Sequence, residues 1–311
     1  LLADADWANK ARAGRAERIN TCIACNQACL DHVFQNKRAS CLVNPRACHE
    51  TELVIAPAAQ RKRIAVVGAG PAGMACASTL AERGHEVTLI DRAQDIGGQF
   101  NYAKRIPGKE EFHETLRYFR HRLADLGVTL RLRTKADVEA LRGYDEVVIA
   151  TGIVPRRVAF PGSDDARVLS YLDVLAHDRP VGRRVAIIGA GGIGFDVAEF
   201  LVEHAPSPTT DVTRWTREWG VDMQLQARGG LLAAAPEQPA RQIWLLQRSE
   251  GRPGARLNKT TGWVHRATLK NKQVAMLGGV SYDRLDEAGL HITVGGKPQL
   301  LPVDHVVVCA G

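Results

Sequence analysis

Ile64-Ala65-Val66-Val67-Gly68-Ala69-Gly70-Pro71-Ala72-Gly73 is an apolar run that breaks into a G-x-G-x-x-G turn and leads into a helix-forming segment. Glycine-rich turns are common, so the pattern has meaning only where a strand precedes it and a helix follows. Both conditions hold here. In that context Gly68 allows the tight turn, Gly70 lets a pyrophosphate approach the backbone, and Gly73 allows the helix to pack closely on the strand. The helix N-terminus then faces an anion with unpaired N–H groups.

The same plan recurs downstream. Val185-Ala186-Ile187-Ile188 is a second buried-strand pattern, followed by Gly189-Ala190-Gly191-Gly192-Ile193-Gly194. Around the first copy, a helix is expected to run to about Arg83 with Gly84 as its C-terminal cap. Glu86 to Asp91 reads as the next strand, about Lys109 to Leu126 as a longer helix ended by Gly127, and 128–132 and 146–150 as further strands. In the second copy the next strand, Gln242 to Gln247, comes only after a polar excursion containing Pro206, Pro208, Pro236 and Pro239. Short strands alternating with helices predict parallel sheets. The expected class is α/β, with two doubly wound Rossmann-like dinucleotide-binding domains at 61–160 and 161–311.

The ends of the two second strands differ in charge. Asp91 lies 23 residues beyond Gly68, where an acid hydrogen-bonds the diol of an unphosphorylated ribose, as in FAD or NAD. The second copy ends Gln247-Arg248-Ser249 and lacks that acid. Arg248 there suits the 2′-phosphate of NADP through charge-assisted bonds.

Ahead of both copies lies a Cys-rich segment, 21–60. Five of the seven cysteines fall between positions 22 and 48, and Cys22, Cys25 and Cys29 form a C-x2-C-x3-C run with Cys41 after eleven further residues. A disulfide framework belongs to small secreted domains, so clustered thiols here read as metal or cluster ligands. Four thiolates are what a [4Fe–4S] cube requires. Zinc is the alternative, although its ligands come as two separated pairs, for which only Cys48-His49 offers an untidy second half. Cys76 and Cys309 fall inside predicted elements and read as core residues.

Composition narrows the class further. Hydrophobic residues make up 45% and charged residues 24% of the 311 positions, the mix of a water-soluble globular chain. No apolar run reaches the length of a membrane span, and Leu1 to Lys10 is not a secretion signal, which points to the cytoplasm. A net charge of +7 suits anionic ligands. The basic residues are scattered and aromatics are only 5%, which argues against a nucleic-acid surface. Residues 1 to about 20, rich in Ala and Arg, read as one amphipathic helix.

A nicotinamide delivers two electrons as hydride, whereas an iron–sulfur cluster takes one at a time. A flavin reconciles the two, so the Asp91 site is assigned to FAD and the Arg248 site to NADP.

Taken with Cys22 to Cys41, several stretches resemble the bacterial NADPH-dependent 2,4-dienoyl-CoA reductases, members of the iron–sulfur flavoproteins related to old yellow enzyme. They are Asn44-Pro45-Arg46-Ala47-Cys48-His49-Glu50, Ile96-Gly97-Gly98-Gln99-Phe100, Ile106-Pro107-Gly108-Lys109, Leu169-Ser170-Tyr171-Leu172-Asp173 and Lys259-Thr260-Thr261-Gly262-Trp263. The resemblance implies electron flow from NADPH to FAD, to the [4Fe–4S] cluster, to FMN and on to an unsaturated acyl-CoA. It implies Cys22, Cys25, Cys29 and Cys41 as cluster ligands. It assigns Gly68, Gly70, Gly73, Asp91 and Gln99 to FAD, and Gly189, Gly191, Gly194 and Arg248 to NADP. In that family an N-terminal (β/α)8 barrel carries FMN, the acyl-CoA pocket and the catalytic acid. Residues 1–20 resemble only its closing helix, and the last stretch of the FAD domain is also expected beyond 311, so no catalytic residue is assigned. Trimethylamine and histamine dehydrogenases share the pattern more distantly. A stand-alone electron-transfer module is the remaining alternative.

Overall fold

A computed structural model describes residues 1–310; Gly311 lies outside the described residues. The chain separates into two compact units. The first comprises Leu1–Lys104 and Lys109–Val154, and the second comprises Arg105–Gly108 and the chain from Pro155 onward.

The first unit begins with a departure from expectation. The N-terminal stretch is not one helix: α1 covers only Trp7–Arg12, and a 3-10 turn follows at Ala16–Arg18. Gly14, at φ 67°, turns the chain out of the helix between them. The segment is tied down instead by buried Asp4, which accepts the backbone N–H of Asn20 at 2.8 Å and the Lys10 amine at 2.7 Å. The Cys-rich segment has a single short helix, α2 (Leu30–Phe34).

From Arg63 the strand–turn–helix plan appears as read. Strand β1 (Arg63–Val67) enters the glycine turn, and α3 (Pro71–Glu82) leaves it with Pro71 in the first helical turn, where a missing N–H costs nothing. Gly84, at φ 94°, follows the helix end. Then come β2 (Glu86–Ile90), α4 (Phe100–Ala103), α5 (Phe112–Asp125), β3 (Thr129–Arg131) and β4 (Glu146–Ile149). The four strands form a parallel sheet in the order β3-β2-β1-β4, one half of a dinucleotide-binding sheet. Its core gathers Val66, Met74, Leu89 and Ile96 under Leu116 and Leu123 of α5.

The second unit repeats the plan. Its elements are β5 (Val168–Ser170), α6 (Tyr171–Leu175), β6 (Arg184–Ile188), α7 (Gly192–Val202), α8 (Val212–Trp219), β7 (Gln242–Leu246), α9 (Gly262–Asn271) and β8 (Ala275–Leu277). After these come β9 (Val280–Asp286), β10 (Gly289–Val294), β11 (Lys297–Leu301) and β12 (His305–Val308). Five strands form a parallel sheet, β5-β12-β6-β7-β8, and β9, β10 and β11 form a separate antiparallel sheet. Helix α6 starts on a capping box in which Ser170 and Asp173 satisfy each other's backbone N–H. The excursion between α7 and β7 contains α8. Its base is a buried ionic cluster: the Lys272 amine lies 3.0 Å from Glu203 and 3.3 Å from Glu218.

Candidate functional site

The two glycine turns are built alike. In the first, the Gly68 amide bonds the Ile90 carbonyl at 2.8 Å and the Ala150 amide bonds the Val67 carbonyl at 2.7 Å. In the second, Gly189 bonds Leu246 at 2.9 Å and Cys309 bonds Ile188 at 2.8 Å. Gly68 and Gly189 both adopt φ 111°, a left-handed-side geometry closed to most residues. A Cβ on Gly73 would lie 1.7 Å from the Gly68 carbonyl oxygen, and one on Gly194 would lie 1.7 Å from that of Gly189. A Cβ on Gly70 or Gly191 would meet nothing within 4 Å. The third glycine of each motif is therefore a packing requirement, and the second opens onto free space of the kind a pyrophosphate needs.

Asp91 sits at the end of β2 beside its turn. One carboxylate oxygen accepts the Ala69 amide at 2.6 Å and the other accepts the Ala93 amide at 2.7 Å. Each oxygen keeps a lone pair for a ribose hydroxyl. The loop that carries Gln99 joins the same turn, because the Gly97 amide bonds the Ala69 carbonyl at 2.7 Å and Gln99 caps α4 directly after it.

The register gives Asp91 a counterpart in the second unit. The Asp91 amide bonds the Arg131 carbonyl at 3.0 Å, and the Gln247 amide bonds the Leu277 carbonyl at 2.8 Å. Gln247 is neutral, and its side-chain amide turns back onto the Ser249 carbonyl at 3.0 Å. Arg248 is exposed, and its charge reaches Tyr282 of β9, a phenol that burial raises to about 12. Arg92 follows Asp91 as Arg248 follows Gln247, so the missing acid, more than the arginine, sets the two stations apart.

The cysteines converge. Cys25 is pushed up first by burial and also by the charges of Cys29, Cys41 and Cys22, against a backbone hydrogen bond from Gln27. The Ala24 amide points at the Cys22 sulfur at 3.4 Å. Ala24 (φ 53°) and Asn26 (φ 56°) take left-handed conformations that aim such amides inward. The Ser40 amide bonds the Ala28 carbonyl at 2.6 Å, which draws Cys41 to the other three. Among the described residues no three His, Cys, Asp or Glu side chains close on a single-ion site. Cys76 is half-buried on α3 and Cys309 is buried at the end of β12, as expected of core residues.

Residues 62–311 match the model of the pyridine nucleotide-disulphide oxidoreductases. The chain belongs to that family. This pyridine nucleotide-disulphide oxidoreductase domain is of the kind that binds FAD and NAD(P), which its two turns fit. A metal reductase of Desulforamulus reducens is 34% identical over the whole chain, which covers 46% of that protein. A bilirubin reductase of Mediterraneibacter gnavus is 37% identical over 65% of the chain, which covers 32% of that enzyme. Among solved structures, 2-naphthoyl-CoA reductase in complex with 2-naphthoyl-CoA matches all of the chain with TM-score 0.84 and 29% identity, and 42% of its own length is covered. Histamine dehydrogenase from Rhizobium sp. 4-9 matches with TM-score 0.75 and 19% identity over all of the chain and 43% of its own, a likeness of fold alone. The chain thus spans less than half the length of these relatives. No helix among the described residues is long and apolar enough to cross a membrane.

Proposed function

We propose that this chain is the electron-input part of an NADPH-dependent 2,4-dienoyl-CoA reductase. One observation carries the reading: four converging thiols share a compact unit with a dinucleotide turn marked by an acid, and a second turn lacks the acid. In this reading Cys22, Cys25, Cys29 and Cys41 would hold a [4Fe–4S] cluster. The amides of Ala24 and Gln27 stabilise negative charge on the sulfurs. Gly68, Gly70, Gly73, Asp91 and Gln99 hold FAD. Gly189, Gly191, Gly194 and Arg248 hold NADPH, with Gln247 leaving room for a 2′-phosphate. When bound, the nicotinamide supplies a hydride, the flavin divides it into single electrons, and the cluster passes them toward an FMN and an unsaturated acyl-CoA outside residues 1–311.

The CoA thioester named for 2-naphthoyl-CoA reductase supports an acyl-CoA substrate class. The test is turnover by the full-length enzyme with all cofactors. NADPH oxidation that depends on a 2,4-dienoyl-CoA is expected. Reduction of an artificial acceptor with no response to dienoyl-CoA overturns the substrate, and absence of iron overturns the cluster.

A further inference from the structure

Five acceptors surround one guanidinium on the first unit's longest helix. Arg117 lies near the middle of α5 and is half-buried. Its Nη1 donates to the carbonyls of Ala16, at 3.3 Å, and of Glu17. Its Nη2 donates to the Ile19 carbonyl at 3.1 Å and to the Thr21 hydroxyl at 3.2 Å. Nε is held by Glu114, one turn earlier on the same helix, at 2.6 Å. Those four partners are the residues that lead directly into Cys22.

Few side chains could do this. The planar guanidinium presents a fixed fork of donors, whereas a lysine amine is a flexible point with three. Glu114 orients the fork from one side, and the segment from Ala16 to Thr21 closes on the other. A second link lies at the end of α5, where Arg18 donates to Asp125 at 2.7 and 3.1 Å. The 3-10 turn Ala16–Arg18 has no buried residue of its own, so these polar bonds, and not apolar packing, fix its place. Helix α5 in turn packs on α3, the helix that leaves the first glycine turn.

We propose that Arg117 is a positioning residue that clamps the polypeptide entering Cys22 onto helix α5 and so fixes the cysteine cluster relative to the flavin turn of its own unit. The proposal rests on the reading of those cysteines as cluster ligands. Arg117 touches neither flavin nor sulfur. It acts by holding the Cys22 end of the ligand loop against α5 through the residues that precede it. With flavin and cluster bound, this hold would set the distance over which single electrons pass from one to the other. The rate of that step depends on the separation Arg117 sets.

The experiment uses the full-length holoenzyme, with Arg117→Ala and Arg117→Lys compared with wild type by three readouts. Hydrogen exchange of residues 16–22 is expected to accelerate in both variants, and iron and flavin per chain to remain at wild-type levels. In rapid mixing with NADPH, the flavin should bleach at the wild-type rate. Reduction of the cluster should then slow about ten-fold in Arg117→Ala, the scale of loss typical of a group that orients ligands without binding the metal, and less in Arg117→Lys. Wild-type exchange and wild-type cluster reduction in both variants overturn the proposal. If Arg117→Ala does not fold, Arg117→Lys decides it by the same readouts. Wild-type protein lacking iron would overturn the cluster reading instead, and the exchange measurement still tests the clamp.

Discussion

Gln247 stands in the second unit where Asp91 stands in the first: each follows the second strand of its copy, and each donates its amide to the carbonyl at the end of the neighbouring strand, Leu277 at 2.8 Å and Arg131 at 3.0 Å. The carboxylate of Asp91 reaches its own glycine turn through Ala69, while the Gln247 amide folds onto its own loop. The same fold therefore places an anion after the second strand of one unit and a neutral group after that of the other.

Replacing that neutral group tests the choice of nicotinamide. Gln247→Glu is expected to lower kcat/KM for NADPH and raise it for NADH. The ratio should shift by roughly ten-fold or more, the ~1.5–3 kcal/mol of one charge-assisted hydrogen bond. Steady-state assays with both nucleotides check it; an unmoved ratio counts against the assignment of Arg248.

The third glycines separate the two sites. In Gly73→Ala the new methyl meets the Gly68 carbonyl at 1.7 Å, so α3 must move away from β1. The loss is about 1–3 kcal/mol of stability together with the flavin, read as flavin absorbance per chain after gel filtration. Gly194→Ala is expected to keep the flavin and lose the response to NAD(P)H.

The base of the α8 excursion holds a nearly inaccessible cation. Lys272 is 2% exposed between Glu203 and Glu218. Removing the amine leaves two buried carboxylates that share the Arg214 guanidinium, 3.5 Å from Glu203 and 3.4 Å from Glu218, so Lys272→Met is expected to cost about 3 kcal/mol in urea unfolding. Adding Glu203→Gln to Lys272→Met should recover part of that loss, because Arg214 then faces one buried carboxylate fewer.

Acid should unfold the second unit through its surface carboxylates. The Arg167 guanidinium holds Asp165 down at about 2 from the ordinary 3.8, and Arg184 lowers Asp304 in the same direction. A lowered folded pKa gives stability that is present above 3.8 and lost as pH falls toward 2. Burial raises Glu203, so that group adds nothing to the acid loss. Burial lowers His305, so melting temperature should decline gently as pH falls through 6.5 and more steeply below about pH 4, with a shallower acid fall in Asp165→Asn.

The glycine turns could be read from sequence because their requirements are local. Each needs an apolar strand before it and a helix after it, and those neighbours are contiguous in the chain. Ala and Arg, good helix formers, lead the sequence to predict one N-terminal helix, whereas Gly14 and the buried acceptor Asp4 set the actual path. Val294-Gly295-Gly296-Lys297 carried a hairpin signal for β10 and β11, with two glycines at positive φ between paired strands. The bonds from Arg117 to Ala16–Thr21 leave no local trace in the sequence, since those four acceptors lie 96 to 101 residues away. Sequence sets Gln247-Arg248-Ser249 against Asp91 as corresponding strand ends, and strand register narrows the match to Gln247.

Arg105 bears on how such a protein can be recombined. It lies in the four-residue stretch Arg105–Gly108 that belongs to the second unit although the first unit's chain continues on both sides of it. There it donates to the Leu175 carbonyl, lies 2.6 Å from Asp178 and stacks over Phe200 at 5.4 Å. A chimera joined at Val154 would receive the nucleotide-binding strands and none of these contacts. Grafting a different second unit onto this first unit therefore needs two splice sites, one at the loop and one at the main crossover.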